Sequence, residues 1–512
     1  MLAAMPPTPP TTPNRGEPLI RDRGDACPGA LRLHPADDGR LARLRLPAGL
    51  LTAHQAEVLA AAAEALGDGQ VSVTSRGNVE LRGLGEGCGA ELARLLAEAG
   101  LLPSTTHERV RNVVASPTAG LDGLGFGDVQ LWARELDALL CAEDWTASLS
   151  GRFLFVLDDG RGDVAQLGGD VTLIAAGACA AGGDGTDGAQ TPDGPDGPDG
   201  PGASGAAGAC EAGGKGSDGV RTPDGPDIGA TATSRPGGRE ASEPAPGAAG
   251  PARPDRVASP GAPGTGAYLR VGAQVFRIAA ADAPRAALAA ASAFLAAARD
   301  AGNGAWRVRE LPEGHEPDLA GALARAGIAA EPVPGAEVPH GGPPAPGPLG
   351  TTALHVLAPL GRLTAAQLRA LLPADEVRLT PWRGAVVVGT SVGVGTAGDR
   401  LAELESYGLI TRPDSPWAGV SACTGRPGCA KSLADVRTDA SPGPAPGLPV
   451  HFSGCERRCG HPHGTWVDVL ATADDTYLVN GAPTSRTDLH DAVATARTTA
   501  RTTARTTART TR

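Results

Sequence analysis

One succession of helix, strand and turn signals occurs twice in this chain of 512 residues, which limits the folds it can adopt. In the first copy, Thr52 and the glutamine three residues later have the spacing of a capping box, which opens a helix. Alternating apolar and polar residues over 71–81 predict β-structure, and a second helix is predicted over 91–99. In the second copy Thr364 opens the same capping box, and strand and helix signals follow in the same order. The repeat predicts an α+β protein with pseudo-two-fold symmetry.

Beyond the second helix of each copy the two halves differ. The first half reaches Arg111, Asn112 and then Ser116, whereas the second carries Cys423 at about the position of Ser116. One half therefore supplies cysteine, and the other supplies arginine.

Four of the nine cysteines fall in one short window as a C-x5-C and a C-x3-C pair: Cys423, Cys429, Cys455 and Cys459. Thiolate sulfur is the ligand that iron–sulfur clusters require, and four thiolates complete the coordination of a [4Fe-4S] cluster. Structural zinc sites usually pair their ligands through about two to four residues, so the first gap fits zinc poorly. Disulfides need an oxidising compartment.

The N-terminal segment has no apolar stretch of signal-peptide length, and no segment of the sequence approaches the length and apolarity of a membrane span. We therefore expect a cytoplasmic protein with reduced thiols. The net charge of −12 argues against nucleic acid as the main partner.

Glycine and proline, with 73 and 46 residues, mark segments that we do not expect to form a packed core. Residues 178–266 are almost wholly Gly, Ala, Pro, Asp and Ser, and we predict a disordered insertion because they cannot bury enough apolar surface to offset their chain entropy. Residues 312–350 are predicted to be a linker region. Residues 1–20 and the Ala-Arg-Thr-Thr repeats of 496–512 are predicted to be disordered, solvated ends.

Two further motifs have less specific interpretations. Residues 393–398 fit the dinucleotide fingerprint G-x-G-x-x-G, but the first copy has glycines at the equivalent turn without that spacing, so we attribute them to the turn. His461 and His463 follow the last clustered cysteine and could ligate iron or shuttle protons, although a loop-capping role is favoured for His461.

On these motifs the sequence resembles the nitrite and sulfite reductase [4Fe-4S] protein family. Its hallmarks are a C-x5-C followed by a G-C-x3-C, two ferredoxin-like half-domains, and a tetrapyrrole held by basic residues between them. The resemblance implies ferredoxin-like half-domains over 21–102 and 351–419. It further implies two haemoprotein-like α+β domains, one over 103–177 plus 267–311 and a cluster-binding one over 420–495.

The family's basic residues carry over by position. The candidates for binding the tetrapyrrole are Arg76, Arg111, Asn112 and Arg152. Arginine's planar fork pairs carboxylates in a bidentate way, and the chain has only two lysines. Arg383, near the counterpart of Arg76 in the second copy, is a weaker candidate. Leu154 stands where sulfite reductases have a second cation, and this thinner cationic set disfavours sulfite reduction.

Within the family, Cys27-Pro28-Gly29, Asp38-Gly39 and the two cysteine segments resemble a branch that acts in aerobic cobalamin biosynthesis. That resemblance implies a monooxygenase that hydroxylates precorrin-3A with dioxygen and forms a γ-lactone. Electrons would come from a donor protein or reductase, with NAD(P)H as the indirect source. A second iron is implied, either non-haem or in siroheme, and Cys459 is the candidate bridge between the cluster and a tetrapyrrole iron. The alternatives are a siroheme-dependent nitrite or sulfite reductase and a non-catalytic electron carrier.

Overall fold

Each copy of the repeat forms a five-stranded antiparallel sheet that is completed by a short strand from the other copy. The computed structural model describes residues 29–177, 266–335, 337–389, 396–443, 447–462 and 464–498. The first sheet contains, in spatial order, β1 (His34–Ala36), β2 (Gly39–Leu44), β5 (Val79–Leu84), β4 (Gln70–Val73) and β14 (Arg362–Thr364). The second contains β12 (Gly347–Leu349), β13 (Ala353–Leu357), β16 (Gly384–Val388), β15 (Glu376–Leu379) and β3 (Leu50–Leu51).

The exchanged strands are short and enter through matching turns. Arg362 on β14 pairs with Ser72 on β4, and Leu50 on β3 pairs with Arg378 on β15. Each strand follows a single 3-10 turn that begins with proline, Pro47–Gly49 in one copy and Pro359–Gly361 in the other. The middle residue of each turn has a left-handed φ, 57° and 51°. Identical local geometry at both places supports the pseudo-two-fold relation.

The helices of the two sheets start and end alike. The first sheet carries α1 (Ala53–Leu66) and α2 (Gly89–Glu98), and the second carries α6 (Ala365–Ala370) and α7 (Ala397–Ser406). Both predicted capping boxes are confirmed, at Thr52 and at Thr364. Each capping-box glutamine also donates from its side chain to the carbonyl after the second helix of its copy, over 3.1 Å to Ala99 and 2.9 Å to Tyr407. One apolar core runs through both sheets.

Two further sheets share a second topology. The first has the order β11 (Ala330–Pro332), β10 (Gln274–Ala279), β9 (Gly266–Val271), β8 (Val171–Ala176), β7 (Phe155–Asp158) and β6 (Val113–Ala115). The C-terminal one has the order β17 (Val420–Ala422), β18 (Val450–Ser453), β19 (Val467–Ala471), β20 (Thr476–Val479) and β21 (Ala482–Ser485). In both, the first three strands in chain order are parallel and the next two pairings are antiparallel.

The remaining helices belong to these two sheets. They are α3 (Val129–Ala142), α4 (Ala283–Ala301), α5 (Leu319–Arg325), α8 (Val436–Asp439) and a C-terminal helix over 489–498. The two sheets align Ser116 with Cys423: the Ser116 amide donates to the Leu157 carbonyl over 3.0 Å, and the Cys423 amide donates to the Phe452 carbonyl over 2.9 Å. The equivalence suggested by the sequence is therefore present in the backbone hydrogen bonds.

Two segments differ from the sequence-based expectation. The predicted linker, 312–350, contains α5, β11 and β12. Despite the surrounding prolines and glycines, Leu319 and Leu323 are buried in the apolar core of the six-stranded sheet. In the predicted tail, residues 496–498 are helical and Arg497 is buried, donating to the Leu448 and Ala418 carbonyls over 2.8 Å each.

Other predicted features lie outside the described residues. These are the N-terminal 1–20 segment, Cys27 and Pro28, almost all of the insertion, the first half of the 393–398 motif, His463 and the tail beyond residue 498. None of the helices in the described ranges combines the length and the apolar character that a membrane crossing needs.

Candidate functional site

A cavity of about 580 Å³ lies between the first half-domain sheet and the C-terminal sheet, and arginine dominates its wall. Nine arginines and two glutamates line it. The arginines are Arg43, Arg45, Arg76, Arg152, Arg307, Arg309, Arg362, Arg383 and Arg437, and the glutamates are Glu80 and Glu310. Its volume lies within the usual range of about 300–1,000 Å³ for cofactor and small-ligand pockets.

Several of these arginines already have partners. Arg43 forms an ion pair with Glu80, and Arg307 forms one with Asp170. Arg45 donates to the Gly151 carbonyl over 2.8 Å, which ties β2 to the loop that carries Arg152. The Arg152 guanidinium lies 4.8 Å from the centre of the Trp306 ring, a cation–π distance.

Three arginines near the cysteines are short of negative charge. Burial, together with the like charges of Arg362 and Arg383, lowers the pKa of Arg437 to about 9. Burial also lowers the pKa of Arg362 and of Arg383, although Glu80 partly opposes the effect at both. Three desolvated cations, two of which lower the pKa of the third, form a site that an anion would stabilise.

The backbone makes room for Arg383. This residue has a left-handed φ of 60°, and its guanidinium donates to the Gly460 carbonyl. A Cβ atom at Gly361 would lie 2.3 Å from Arg383 Cδ, and one at Gly460 would lie 2.4 Å from Arg383 Nη2. These two glycines therefore leave the space through which Arg383 reaches from the β15–β16 turn to the cysteine loop.

The structure separates the four predicted tetrapyrrole-binding residues into two groups. Arg76 and Arg152 line the cavity, and Arg111 and Asn112 do not. Arg111 is buried and makes a bidentate pair with Asp137 at 2.6 Å for both bonds, so its fork is occupied by α3.

Asn112 has a bracing role. It accepts from Asn78 over 3.0 Å and donates to the Phe153 carbonyl over 2.9 Å. It thus connects the turn that carries Arg76 to the segment that carries Arg152, without facing the cavity itself.

The cationic set is larger than the family motifs indicated. Leu154 is buried in a small apolar cluster, but arginines from other elements take part in the wall. Arg43 and Arg45 are two residues apart, a spacing that puts both on one face of an extended segment and that could have identified them in the sequence. Arg362 is brought in by strand exchange, which no local pattern reveals.

The related face of the second half-domain has lost these cations. The shared turns and strand pairings place His355 at the position of Arg43 and Leu357 at that of Arg45. They place Trp382 at the position of Arg76. His355 is buried, and burial lowers its pKa to about 4, so it is neutral. At these three positions the second half-domain therefore offers no positive charge to a polyanion.

The four clustered cysteines lie at one edge of the C-terminal sheet. Cys423 directly follows β17 and Cys455 lies two residues beyond β18; because these strands are parallel and adjacent, their carboxyl ends bring both cysteines to the same edge. Cys423 and Cys459 line the cavity, and Cys459 is exposed. All four are free thiols.

The spacing of the sulfurs separates the two candidate metals. Among the described residues, no three of the four sulfurs lie within 4.8 Å of one another. Zinc–sulfur bonds of about 2.3 Å in a tetrahedron would hold the sulfurs about 3.8 Å apart. The Gly454 amide donates to Cys423 Sγ over 3.2 Å, as suits a thiolate ligand. Four thiolates are the usual donor set of a four-iron cluster, and these sulfurs do not converge as the ligands of one zinc ion would.

The two histidines beside the cysteines have structural contacts. His451 lies between the Ser421 hydroxyl and the Cys459 carbonyl, at 2.9 and 3.1 Å, and burial followed by the charge of Arg383 lowers its pKa to about 3. It therefore stays neutral and donates to Cys459. His461 stacks on Trp466 at 4.6 Å and does not line the cavity, which leaves no contact in support of iron ligation.

At the equivalent edge of the first reductase-like sheet, carboxylates replace the cysteines. Asp158, Asp159 and Asp163 are the one group of three potential metal-binding side chains found in the described ranges. Asp158 accepts from four backbone amides, and Arg161 makes a bidentate pair with Asp159. Burial, with the neighbouring carboxylates, raises the pKa of Asp163 to about 7. We interpret this group as a cluster of charged residues in which Arg161 pairs with Asp159 and backbone amides donate to Asp158.

Comparison with known proteins assigns the first half-domain. Residues 34–99 match the family model described as the nitrite/sulfite reductase ferredoxin-like half domain. The chain therefore contains that half-domain, and the predicted α+β architecture is confirmed. The second copy shares its strand order and capping boxes, as described above.

The relatives that match this chain include two kinds of enzyme, precorrin-3B synthase and ferredoxin–nitrite reductase. A precorrin-3B synthase of a Sinorhizobium species is 30% identical over 172 residues, 33% of this chain and 36% of that protein. The ferredoxin–nitrite reductase of Leptolyngbya laminosa is 37% identical over 91 residues, 17% of this chain and 18% of that protein. These matches span about a third or less of the relatives' own lengths.

A solved structure extends the likeness in fold. The Mycobacterium tuberculosis NirA protein superposes with a TM-score of 0.56 at 16% identity, covering 88% of this chain and 79% of the other. At that identity the likeness concerns the fold alone. Together the comparisons show similarity to nitrite/sulfite reductase-like proteins, and the relatives in both groups bear the names of enzymes.

Proposed function

We propose that this protein is an oxidoreductase that holds a [4Fe-4S] cluster on Cys423, Cys429, Cys455 and Cys459 and binds a carboxylated tetrapyrrole in the adjoining cavity. The observation that carries the proposal is the excess of cations: nine arginines against two glutamates in a wall shared with two of the four cysteines. Tetrapyrroles of this class carry several carboxylates around one rigid ring, and arginine pairs carboxylates well.

The arginines form two groups according to their position in the cavity wall. Arg362, Arg383 and Arg437 would bind carboxylates on the side nearest the cysteines, where burial already lowers their pKa. Arg76 and Arg152 would bind carboxylates from the half-domain turn and the loop before β7. When bound, the cluster would supply single electrons through thiolates that reach the cavity.

Within this class we favour hydroxylation of precorrin-3A, as in precorrin-3B synthase. One oxygen atom of dioxygen enters the macrocycle and the other leaves as water; two electrons and two protons complete the balance, and an acetate arm closes the γ-lactone without further oxidation. The donor protein or reductase would draw those electrons indirectly from NAD(P)H. A relative named precorrin-3B synthase with 172 aligned residues supports this choice.

The second candidate is a siroheme-dependent nitrite or sulfite reductase. Its support is the exposed Cys459 in the cavity wall, where a thiolate could bridge to a tetrapyrrole iron, and the relatives named ferredoxin–nitrite reductase. A non-catalytic electron carrier is disfavoured because it would not need so cationic a cavity.

One pair of assays separates the candidates. Protein purified without oxygen is examined for siroheme absorption and for nitrite and sulfite reduction. The same protein is incubated in air with precorrin-3A and a reductant, and the product mass is measured. Addition of one oxygen atom without siroheme supports the synthase, whereas siroheme absorption with nitrite or sulfite turnover supports the reductase and overturns the first choice.

The cluster has its own test. Cys455→Ser should abolish the broad visible absorption of an iron–sulfur cluster, together with acid-labile sulfide, because a cluster ligand is lost. Cys141→Ser is the matched control, since Cys141 is a partly buried free thiol on α3 outside the cavity wall. Iron and sulfide retained at the parent level in Cys455→Ser would remove Cys455 from the ligand set.

A further inference from the structure

The loop that carries Cys429 is held by residues of the first half-domain, far away in sequence. Cys423 and Cys455 are placed by β17 and β18, and Cys459 follows in the same turn as Cys455. Cys429 lies in a connection that no strand supports. Its position therefore depends on what packs against that loop.

One contact fixes the residue before Cys429. Arg82 on β5 is buried and makes a bidentate pair with Asp38, at 2.8 and 2.9 Å, and its Nη2 also donates to the Gly428 carbonyl over 2.6 Å. The fit is close, because a Cβ atom at Gly428 would lie 2.6 Å from Asp38 Oδ2. A larger residue at position 428 would therefore displace the Asp38 carboxylate where the β1–β2 turn meets the loop.

A second contact fixes the residue after Cys429. The Asp37 carboxylate accepts a hydrogen bond from the Ala430 amide. Both peptide units that flank Cys429 are therefore bonded to the first half-domain, one through its carbonyl and one through its amide. A guanidinium and a carboxylate from neighbouring positions of one half-domain hold the cysteine between them.

We propose that Asp37, Asp38 and Arg82 form a clamp that positions Cys429 for cluster binding. The inference rests on the proposed function, since the clamp serves the cluster proposed above. It makes the first half-domain part of the cluster site as well as of the cavity. Outer partners that orient metal ligands commonly change metal affinity by about 10- to 100-fold when they are removed.

The test compares two ion pairs that are alike except in place. Asp38→Asn weakens the clamp, and Asp137→Asn is the matched control. The Arg111–Asp137 pair is also bidentate and has side-chain exposures of 7% and 20%, against 7% and 22% for Arg82–Asp38. Asp37→Ala removes only the contact with the Ala430 amide and lies on an exposed turn, which keeps the test usable where Asp38→Asn folds poorly.

Two readouts follow the clamp. In holoprotein exposed to a chelator, we expect Asp38→Asn and Asp37→Ala to lose iron and sulfide about tenfold faster than the parent, with a changed EPR spectrum of the reduced cluster. In apoprotein, alkylation of Cys429 should accelerate relative to Cys423 and Cys455, as measured by peptide mass spectrometry. Asp137→Asn should lower thermal stability without changing either readout.

The outcomes are distinct. Cluster loss and Cys429 alkylation at the parent rates in both clamp variants would overturn the inference, as would equal effects in Asp137→Asn. Protein that assembles no sulfide-containing cluster would instead overturn the proposed function, and alkylation of the apoprotein would still decide whether the clamp holds Cys429.

Discussion

At the scale of single residues, the cavity places cations where the folded protein cannot fully stabilise them. Arg437 donates to the Leu360 carbonyl over 3.2 Å and has two other arginines as electrostatic neighbours. Its pKa of about 9, well below that of an ordinary arginine, means that the unfolded chain holds this proton more tightly. Below pH 9 the charged group therefore destabilises the folded apoprotein, and that cost is progressively relieved as the pH rises above 9.

We therefore expect Arg437→Gln to separate stability from binding. The unfolding free energy of the apoprotein at pH 7 should rise by about 1 kcal/mol or more, because a desolvated charge is removed. Affinity for a carboxylated tetrapyrrole should fall by about 10- to 100-fold, because a charge-assisted hydrogen bond contributes about 1.5–3 kcal/mol. Thermal denaturation and absorbance titration measure the two effects.

The control for Arg437→Gln is Arg325→Gln, whose side chain is 69% exposed and paired only with an exposed aspartate. It should change neither quantity. Loss of apoprotein stability in Arg437→Gln, with unchanged tetrapyrrole affinity, would contradict the assignment of Arg437 to the anion site.

Asp163 gives a pH-dependent prediction. Its pKa of about 7, against an ordinary 3.8, means that the folded protein holds the proton between these values and the unfolded chain does not. Stability from this group is therefore full below about pH 4 and is lost as the pH rises through 7. Asp163→Asn keeps an acceptor for the Ser116 hydroxyl and should remove this loss, worth up to about 4 kcal/mol at pH 8. Urea denaturation of both proteins at pH 5 and pH 8 measures it; an equal difference at both pH values would show that Asp163 does not titrate in this range.

At the scale of elements, turns decide where cations reach the cavity. Gly361 combines a φ of 77° with the close approach of Arg383, whereas Gly69 has a φ of 76° and no atom within 4 Å of an added Cβ. Substituting each of these two glycines by alanine therefore distinguishes the cost of backbone strain from the effect of displacing Arg383.

Gly69→Ala should cost about 1–2 kcal/mol of unfolding free energy through its left-handed backbone alone, with tetrapyrrole affinity unchanged. Gly361→Ala should cost that amount and, in addition, weaken tetrapyrrole binding, because Arg383 must move away from the Gly460 carbonyl. Denaturant unfolding and absorbance titration report the two effects. Equal binding by the two variants would show that Arg383 takes no part in holding the ligand.

Features that depend on residues close together in the sequence could be predicted from it. The capping boxes of Thr52 and Thr364 and the equivalence of Ser116 with Cys423 could be read from neighbouring residues. The exchange of β3 and β14 could not, because strands of two and three residues leave no periodic pattern and the pairing partner lies in the other copy. Arg111 failed as a cavity residue for a similar reason: its partner, Asp137, is set by how α3 packs.

At the scale of the whole molecule, the long insertion joins two adjacent strands. Ala176 at the end of β8 pairs with Gly266 at the start of β9, so the ends that the insertion connects are already neighbours. Replacing residues 178–265 by an Asn-Gly turn should keep the fold, the cluster content and the tetrapyrrole affinity, because such turns close antiparallel pairs. Cluster assays and thermal denaturation check this. Loss of folding in the shortened protein would show that the insertion contributes to the core.

The exchanged strands also bear on whether the two copies need to be one polypeptide. A fragment carrying only one copy would lack the short strand that the other donates and would present an open row of backbone amides and carbonyls, which readily recruits another chain. Cut between the copies, the chain should yield pieces that aggregate or pair with themselves when made separately and that recombine into one complex when made together. The covalent link would then serve chiefly to fix the ratio of the two pieces, and the arginine contributed by β14 would reach the cavity from a separate molecule.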